Sequence, residues 1–352
     1  MKTAWELRIR QLDIRLASHA DYVALNNFTN LIRAERTPDD PPRSLEETIQ
    51  QARNIPPVVD LRMWGMEQPE GTEFVAVGSI EIVQLEQNRH AAQFNLDVLP
   101  EFRERGLEVS LLRHITEVAE QAGRSLLITS TNSRVPWGEA LMQKLGAEKA
   151  LESHTNQLVL RELDQHLVKS WLEQGQEKAV EFELLFWEGA YPQEHLTAFA
   201  ALMDVMNTAP RGSLQVEDFQ LTPELLRQIE QMLFAAGNER WTLVVREKAS
   251  GQLAGYTEIT WHKGRPQIIN QQGTGVLTEF RNKGLGRWLK AAMLDKLLHE
   301  RPEARFVRTG NADANAPMLK INQALGFQPY IAQATWQIET TRVRAWLEGE
   351  PK

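Results

Sequence analysis

A loop rich in glycine and basic residues is the segment of this sequence whose composition most clearly suggests chemistry. It covers residues 281–287 and reads Arg-Asn-Lys-Gly-Leu-Gly-Arg, between a predicted strand and a predicted helix. Glycines let a backbone curl around a phosphate, and the first amides of a helix have no partner within that helix. Arg281, Lys283 and Arg287 add positive charge at the same place. The loop therefore predicts a pyrophosphate site; the alternative is a glycine-rich turn that only begins a helix.

The spacing of the glycines distinguishes this loop from two other phosphate-binding motifs. Gly273 and Gly275 precede it in the strand, but the next position of a dinucleotide-binding motif holds Thr278 rather than glycine. No Gly-Lys-Ser or Gly-Lys-Thr follows, as a P-loop requires. Glycines inside a strand usually mark a bulge or a close approach to the backbone. The pattern is thus R-x-x-G-x-G after an irregular strand.

The loop belongs to a segment that occurs twice. Residues 97–108 and 275–286 are identical at seven of twelve positions, at a constant offset of 178. Three further matches follow in the same order at similar offsets, namely 144–147 with 324–327, 155–158 with 335–338, and 171–173 with 346–348. This period is too long for a solenoid repeat. The sequence therefore predicts one domain present twice, over 1–175 and 176–352.

Each copy alternates helices with strands. In the first copy, helices are predicted over 19–34, 44–53 and 136–145, and strands over 72–84 and 125–130. In the second copy, helices are predicted over 193–207, 222–236, 284–299 and 317–325, and strands over 241–246, 252–261, 267–277 and 305–309. Leu285, Leu289, Met293 and Leu297 form one apolar stripe, as do Leu107, Leu111, Ile115 and Val118. The predicted class is α+β, with a mixed central sheet flanked by helices in each copy.

A second polar segment follows the loop by about thirty residues. Residues 311–327 begin Asn-Ala-Asp-Ala-Asn-Ala-Pro and end in Leu-Gly-Phe. Together with R-x-x-G-x-G directly after a strand, this segment resembles the GNAT superfamily of acyl-CoA-dependent N-acyltransferases, most sharply over 268–338. Two such domains in one chain look like the tandem arrangement of the mycothiol synthase group. The resemblance implies acetyl-CoA as co-substrate, bound between the fourth and fifth strands of a domain; the cysteine and histidine content leads us to expect no metal.

The resemblance also implies which residues bind acetyl-CoA. The amides of the irregular strand would face the pantetheine and the thioester, and those of the loop would face the pyrophosphate. The cofactor-binding residues it implies are Val276, Leu277, Thr278, Arg281, Asn282, Lys283, Gly284, Leu285, Gly286, Arg287, Asn311 and Asn315.

Three side chains are candidates for catalysis. Many GNAT enzymes carry a tyrosine acid where this sequence has Asn322, which forms hydrogen bonds but is not an acid. Glu258 is the candidate base, because its strand is expected to border the acceptor cleft; the alternative is a solvated carboxylate on the strand face. Thr274, on the irregular strand, is a candidate polarising group.

The first copy departs from the motif where a phosphate would bind. Glu108 replaces the last glycine of the loop, which adds bulk and a negative charge. Met142 stands at the position of Asn322, and Asn132 is the asparagine that the altered polar segment keeps. We therefore expect a degenerate cofactor site in the first domain; the alternative is that it still binds CoA loosely.

Composition excludes several other classes of function. The 352 residues include no cysteine, so thiol nucleophiles, disulfides and thiolate metal sites are excluded, and the eight histidines lack metal-ligand spacing. A formal charge of −8 argues against nucleic-acid binding. No apolar run has the roughly 18 residues of a membrane span, and no signal peptide is evident, so a cytoplasmic protein is expected. The sequence does not predict an oligomeric state.

These observations predict an acetyl-CoA-dependent N-acetyltransferase. The acetyl group would pass to a primary amine of a small molecule by direct attack, in an active site of the C-terminal domain. The alternative, from a different class, is a non-catalytic acyl-CoA-binding or ligand-sensing protein with the same fold.

Overall fold

The structure is a computed structural model that describes residues 7–68 and 71–349, and these residues form two compact units. The first unit contains the chain up to Glu152, the segment Gly212–Glu217 and the residues from Gln333 onward. The second unit contains Ser153–Arg211 and Asp218–Ala332.

The strands and helices alternate along the chain as the repeat predicts. The strands are β1 Arg8–Leu12, β2 Val59–Glu67, β3 Phe74–Val83, β4 Ala91–Val98, β5 Leu126–Asn132, β6 Glu148–Val159, β7 Phe182–Glu188, β8 Asn238–Glu247, β9 Leu253–His262, β10 Ile268–Val276, β11 Phe306–Ala312 and β12 Gln328–Glu339. The helices are α1 His19–Arg36, α2 Leu45–Arg53, α3 Leu107–Gln121, α4 Pro136–Leu145, α5 Gln165–Gln176, α6 Leu196–Met203, α7 Pro223–Ala235, α8 Leu285–Glu300, α9 Ala316–Ala324 and α10 Thr340–Gly349.

Local sequence explains where several helices begin. A side-chain oxygen at the N-cap accepts a backbone N–H of the first turn in five of them: Ser18 before α1, Ser44 before α2, Asp164 before α5, Thr222 before α7 and Asn315 before α9. The predicted helix over 193–207 is shorter in the structure. Its central part is α6, and short 3₁₀ turns, Gln193–His195 and Asp204–Thr208, flank it.

Helix α8 presents the predicted apolar stripe to the core of the second unit. Leu285, Leu289, Met293 and Leu297 are each at most 1% exposed. In the first unit, α3 buries the first three members of the corresponding stripe, Leu107, Leu111 and Ile115. The stripe of α8 is therefore confirmed in full, and that of α3 at these three residues, while Val118 is only partly buried. In the described part of the chain, no helix combines the length and the apolar character needed to cross a membrane.

The sheet of the first unit has the order β1-β2-β3-β4-β5-β12. Strands β4 and β5 run parallel and pair over Ala91–Gln93 and Leu126–Ile128, after which they diverge. The remaining neighbours pair in the antiparallel sense. The divergence leaves a cleft between the two central strands.

The sheet of the second unit has the order β6-β11-β10-β9-β8-β7. The parallel strands β10 and β11 pair from Ile268 opposite Phe306 to Gln271 opposite Thr309. Strand β10 also contains a bulge opposite β9, between Gln271 and Thr274. The end of the β10–β11 pairing and the bulge coincide, so β10 leaves β11 at the point where its own backbone becomes irregular.

Each sheet takes its last strand from the other half of the chain. Residues 333–339 of β12 pair with β5, and residues 153–159 of β6 pair with β11. The units therefore differ from the predicted ranges 1–175 and 176–352, which assign each final strand to the copy in which it occurs. The repeat gives no reason to expect the exchange, because the two final strands have similar sequences.

Candidate active site

The glycine-rich loop forms an open cradle at the start of α8. Asn282 and Gly284 have positive φ angles of 65° and 83°, so the backbone turns twice in the left-handed region. A Cβ atom on Gly284 would meet nothing within 4 Å. A Cβ atom on Gly286 would lie 3.8 Å from the Ile321 side chain and 3.9 Å from that of Val276. No described side chain caps the first amides of α8, so they remain available to an anion.

Three exposed basic residues surround this cradle. Arg281, Lys283 and Arg287 are all exposed. The Arg281 guanidinium donates to the Val276 carbonyl at 3.0 Å and to the Thr208 hydroxyl at 2.9 Å, which ties the end of β10 to the loop. The positive charges and the helix N-terminus therefore act on the same volume, as a pyrophosphate site requires.

The predicted amides of β10 divide into two groups. The Leu277 N–H donates to the Ala254 carbonyl at 2.9 Å, because β10 continues to pair with β9 beyond the bulge. The prediction that this amide is free for a ligand is therefore wrong. The Val276 amide, one residue earlier, points to the opposite edge, where β11 has diverged. Thr278 begins a 3₁₀ turn and has left the strand.

A polar cluster occupies the bulge. The Thr274 hydroxyl lies 2.7 Å from the Thr257 hydroxyl, and the Gln271 amide donates to Thr257 at 3.0 Å and to the Glu258 carbonyl at 2.7 Å. Thr274 is thus held in a fixed network rather than on a solvated strand. Thr257 and Gln271 were not predicted; polar residues at inward positions of the two strands were the signal for them.

A chain of polar side chains connects α8, α9 and β11. Asn322 is 1% exposed, and its amide donates to the Asn311 side-chain oxygen at 2.8 Å. Its own oxygen accepts a hydrogen bond from the Lys290 amino group at 2.8 Å. The structure therefore joins the predicted Asn311 and Asn322 and adds Lys290, which the sequence analysis missed. Asn315 lies apart from this chain, because its side chain caps α9 by accepting the Met318 N–H at 3.4 Å.

Lys290 is a buried amine whose environment is almost apolar. It is 2% exposed, and the ring of Phe327 lies 5.4 Å from its nitrogen. Burial lowers the pKa of Lys290 to about 7. Near neutral pH the charged and the neutral form of this amine are therefore both populated.

Glu258 belongs to a second network on the opposite face of β9. Its carboxylate accepts hydrogen bonds from the Tyr191 hydroxyl at 2.6 Å and the Thr242 hydroxyl at 3.0 Å, and the Arg240 guanidinium lies 3.7 Å away. Arg240 also pairs with Glu230. The alternative of a solvated carboxylate on the strand face is wrong, because Glu258 is 8% exposed. The pKa of Glu258 is raised above its ordinary value, because the effect of burial exceeds the opposing effect of the nearby Arg240.

A cavity of about 350 Å³ lies beside α9 and β11 in the second unit. Its wall includes Asn322, Asn156, His154 and Asp313. The Nδ1 atom of His154 lies 2.7 Å from a carboxylate oxygen of Asp313. The Asn156 amide is 3.5 Å from the Asn311 oxygen. The polar chain from Lys290 therefore ends at a space large enough for several waters.

The corresponding loop of the first unit has nearly the same backbone and different side chains. Glu104 and Gly106 have φ angles of 61° and 78°. Glu108, at the position of Gly286, is buried, and one of its carboxylate oxygens has no partner among the described residues. Asp97 stands at the position of Gly275 and pairs with Arg36. The second unit thus leaves its loop open at Gly286, whereas the first places the buried Glu108 carboxylate at the matching position.

The described residues have the tandem GNAT fold. The structure resembles a tandem GNAT protein from the clavulanic acid biosynthesis pathway, with a TM-score of 0.74 and 24% identity over 95% of this chain and 99% of that one. It also resembles a GCN5-related N-acetyltransferase from Sphaerobacter thermophilus, with a TM-score of 0.65 and 15% identity over 95% and 96% of the two chains. A third similar structure is the glucosamine N-acetyltransferase region of a fungal multi-domain β-N-acetylglucosaminidase, with a TM-score of 0.64 and 12% identity over 96% of this chain and 38% of that one.

No protein-family model and no curated protein matches the sequence. The structural similarities therefore establish the fold. Within residues 7–68 and 71–349, no three histidine, aspartate or glutamate side chains are grouped as metal ligands would be.

Proposed function

We propose that this protein is an acetyl-CoA-dependent N-acetyltransferase with one working site, in the second unit. The observation that carries the proposal is the open cradle at Gly284 and Gly286, beside a divergence of two parallel strands. Arg281, Lys283 and Arg287 supply the charge that a pyrophosphate needs. The first unit has the same divergence, but Glu108 would repel a phosphate there.

Two groups of the second unit would serve the acyl transfer itself, one at the acyl oxygen and one at the amine. Bound acetyl-CoA would supply an activated acyl group as a thioester. The Val276 amide, at the edge that β11 leaves open, would donate a hydrogen bond to the acyl oxygen. Glu258 would accept the proton that the amine nitrogen loses, because a buried carboxyl with a raised pKa is a better base near neutral pH than an exposed one.

We propose a primary amine on a small molecule as the acceptor. A chain with a formal charge of −8 attracts cationic molecules modestly, and salt weakens this attraction. The second candidate function is non-catalytic acyl-CoA binding, which one observation favours: Asn322 stands where many GNAT enzymes carry a tyrosine acid.

Calorimetric titration with acetyl-CoA, followed by an assay for CoA thiol release with a panel of primary amines, tests the proposal. We expect one binding site per chain and thiol release that depends on the amine. Absence of acetyl-CoA binding would overturn the proposal. Tight binding without release for any amine would favour the non-catalytic candidate.

A further inference from the structure

Lys290 lies one helical turn beyond the cradle, on the same face of α8. Residues four apart on a helix are neighbours on one face, and Gly286 faces Val276 of β10 and Ile321 of α9. The strands β10 and β11 separate after Gln271 and Thr309. Lys290 therefore lies on the face of α8 that Gly286 turns toward β10 and α9, one turn away from the cradle.

The amino group of Lys290 has more hydrogen-bonding capacity than its described partners use. An ammonium has three N–H donors, and within the described chain one accepting atom, the Asn322 oxygen at 2.8 Å, faces it. No described carboxylate pairs with it, and burial is the cause of its altered pKa. Burying an amine in this way costs free energy that the fold does not recover through an ion pair.

The first unit shows that the fold does not need a lysine here. Leu112 stands 178 residues before Lys290 and is fully buried on α3. Met142, also buried, stands at the position of Asn322. A buried lysine and asparagine at these two positions therefore call for an explanation other than packing.

We propose that Lys290 donates the proton that the departing sulfur of acetyl-CoA requires, a task for which Asn322 has no acidic hydrogen. This inference rests on the proposed function. Asn322 would position the Lys290 amino group by accepting one of its hydrogens, while Asn311 fixes the orientation of the Asn322 amide through the 2.8 Å hydrogen bond between them. Lys290 is then a catalytic residue, and the two asparagines are positioning residues.

The proton balance of the proposed step involves both networks. As the bond from the amine nitrogen to the acyl carbon forms, Glu258 accepts the proton that the nitrogen loses. As the carbon–sulfur bond breaks, its electron pair goes to sulfur, and Lys290 gives its ammonium proton to that sulfur. Glu258 then releases its proton to solvent. Lys290 recovers one from solvent, for which the cavity beside Asn322 offers water space. A pKa of about 7 for Lys290 suits an acid that must release and regain a proton each turnover.

The first test compares Lys290→Met with Leu112→Met, the matched buried position of the first unit. General acid catalysis typically contributes about 10²–10⁴-fold, so Lys290→Met is expected to lower kcat by that factor while calorimetry shows unchanged acetyl-CoA affinity. The wild-type rate should also fall as the pH rises through the pKa of Lys290, and this falling limb should disappear in the variant. A kcat equal to that of Leu112→Met would overturn the proposal.

The second test needs no turnover. The ¹³Cε resonance of Lys290, assigned by its loss in Lys290→Met, is titrated in complexes of the wild-type protein with CoA and with desulfo-CoA. We expect a higher pKa of Lys290 in the CoA complex, because a sulfur able to carry negative charge beside the ammonium stabilises the charged form. Identical pKa values in the two complexes would overturn the proposal. Failure of both ligands and of acetyl-CoA to bind would instead overturn the proposed function.

Discussion

The two loops that precede α3 and α8 have the same backbone conformation and opposite chemistry. Their left-handed residues match, with φ of 61° and 78° in the first unit and 65° and 83° in the second. One position separates them most clearly: Gly286 leaves space at the start of α8, and Glu108 fills the corresponding space at the start of α3. The fold therefore keeps the same loop backbone in both units, while the side chain at this position changes from glycine to glutamate.

The two units also differ in the side chains between the helix that follows the loop and its neighbouring elements. The three polar residues that connect α8, α9 and β11 have counterparts in the first unit that serve packing or local hydrogen bonding. The pairs are Lys290 with Leu112, Asn322 with Met142, and Asn311 with Thr131. Leu112 and Met142 are buried, and Thr131 accepts a hydrogen bond from the Trp336 indole at 2.8 Å. A stable unit of this fold therefore requires none of the polar chain, which supports a functional origin for it.

The largest effect is expected from Gly286→Glu, which gives the second loop the side chain of the first. Two like charges in contact at a partly screened site repel by about 4 kcal/mol, so acetyl-CoA should bind roughly a thousandfold more weakly. Calorimetry measures the loss, and circular dichroism checks that the fold is kept.

The matched control for this substitution is Glu108→Gly. Because Asp97 still lies in the cleft of the first unit, this variant should bind acetyl-CoA with the same stoichiometry as the wild type. Two sites in the wild-type chain would show that Glu108 tolerates the ligand and that the contrast between the loops is wrong.

Substitutions in the exchanged strands are expected to act on the other half of the sequence. Trp336 is 3% exposed on β12, and Trp336→Ala should cost about 3–5 kcal/mol of stability. Its β12 segment pairs with β5, so amide hydrogen exchange should accelerate in Leu126–Asn132.

Leu158→Ala is the corresponding test in the other exchanged strand, β6. Leu158 is 1% exposed on β6, which pairs with β11, so the loss of about 2–5 kcal/mol should accelerate exchange in Phe306–Ala312. The assignment of strands to units is contradicted if Trp336→Ala perturbs β11 or Leu158→Ala perturbs β5.

Lys290→Met is expected to stabilise the protein in a manner that depends on pH. The pKa of Lys290 is about 7 when folded and 10.5 ordinarily, so between these values the unfolded chain binds more protons than the folded one. Wild-type stability should consequently rise with pH across this window. Below pH 7 the Lys290 amine is charged in both states, and its burial then destabilises the folded protein by the full amount. Each pKa unit corresponds to about 1.4 kcal/mol.

Urea unfolding of the wild type and of Lys290→Met at a series of pH values measures this difference. The advantage of the variant should be greatest near pH 7 and should shrink toward pH 10.5. An advantage independent of pH would mean that Lys290 is not the group that titrates.

The smallest effect is expected from Asn315→Ala. This change removes the N-cap of α9 and should cost about 1 kcal/mol, measured by urea unfolding. Helix α4 of the first unit starts after Val135, which offers no capping side chain, so the matching helix forms without this hydrogen bond. If Asn315→Ala weakens acetyl-CoA binding beyond this loss of stability, the predicted contact of Asn315 with the ligand gains support.

The sequence predicted the loop, its repeat and the apolar stripes because each has a local signal. Glycine and arginine at fixed spacing define the loop, and leucines four residues apart define the buried face of α8. Lys290 was missed because lysine on an amphipathic helix is ordinarily exposed, whereas α8 also buries Trp288 and Ala291 on either side of it. Only the packing of α8 against its neighbours reveals that Lys290 is 2% exposed.

The burial of Glu258 and the exchange of strands were also beyond local signals. Alternation along β9 places Glu258 on one face of the sheet, but the residues that cover it, Tyr191 and Arg240, come from distant positions in the chain. The final strands of the two copies have similar sequences, so their residues alone do not indicate whether β6 or β12 pairs with β5. Long-range pairing decides both features, and a single sequence does not encode it in any short window.

The exchange of final strands has a consequence for how such a chain can evolve after duplication. Because residues 333–339 complete the sheet that contains β5, and residues 153–159 complete the sheet that contains β11, deleting either half removes a structural part of the other. A change in the loop of one copy therefore leaves that copy indispensable to the sheet of the other. The sequence of a loop such as the one at Glu108 can then change, while the strands of its copy are retained because residues 153–159 complete the sheet that contains β11.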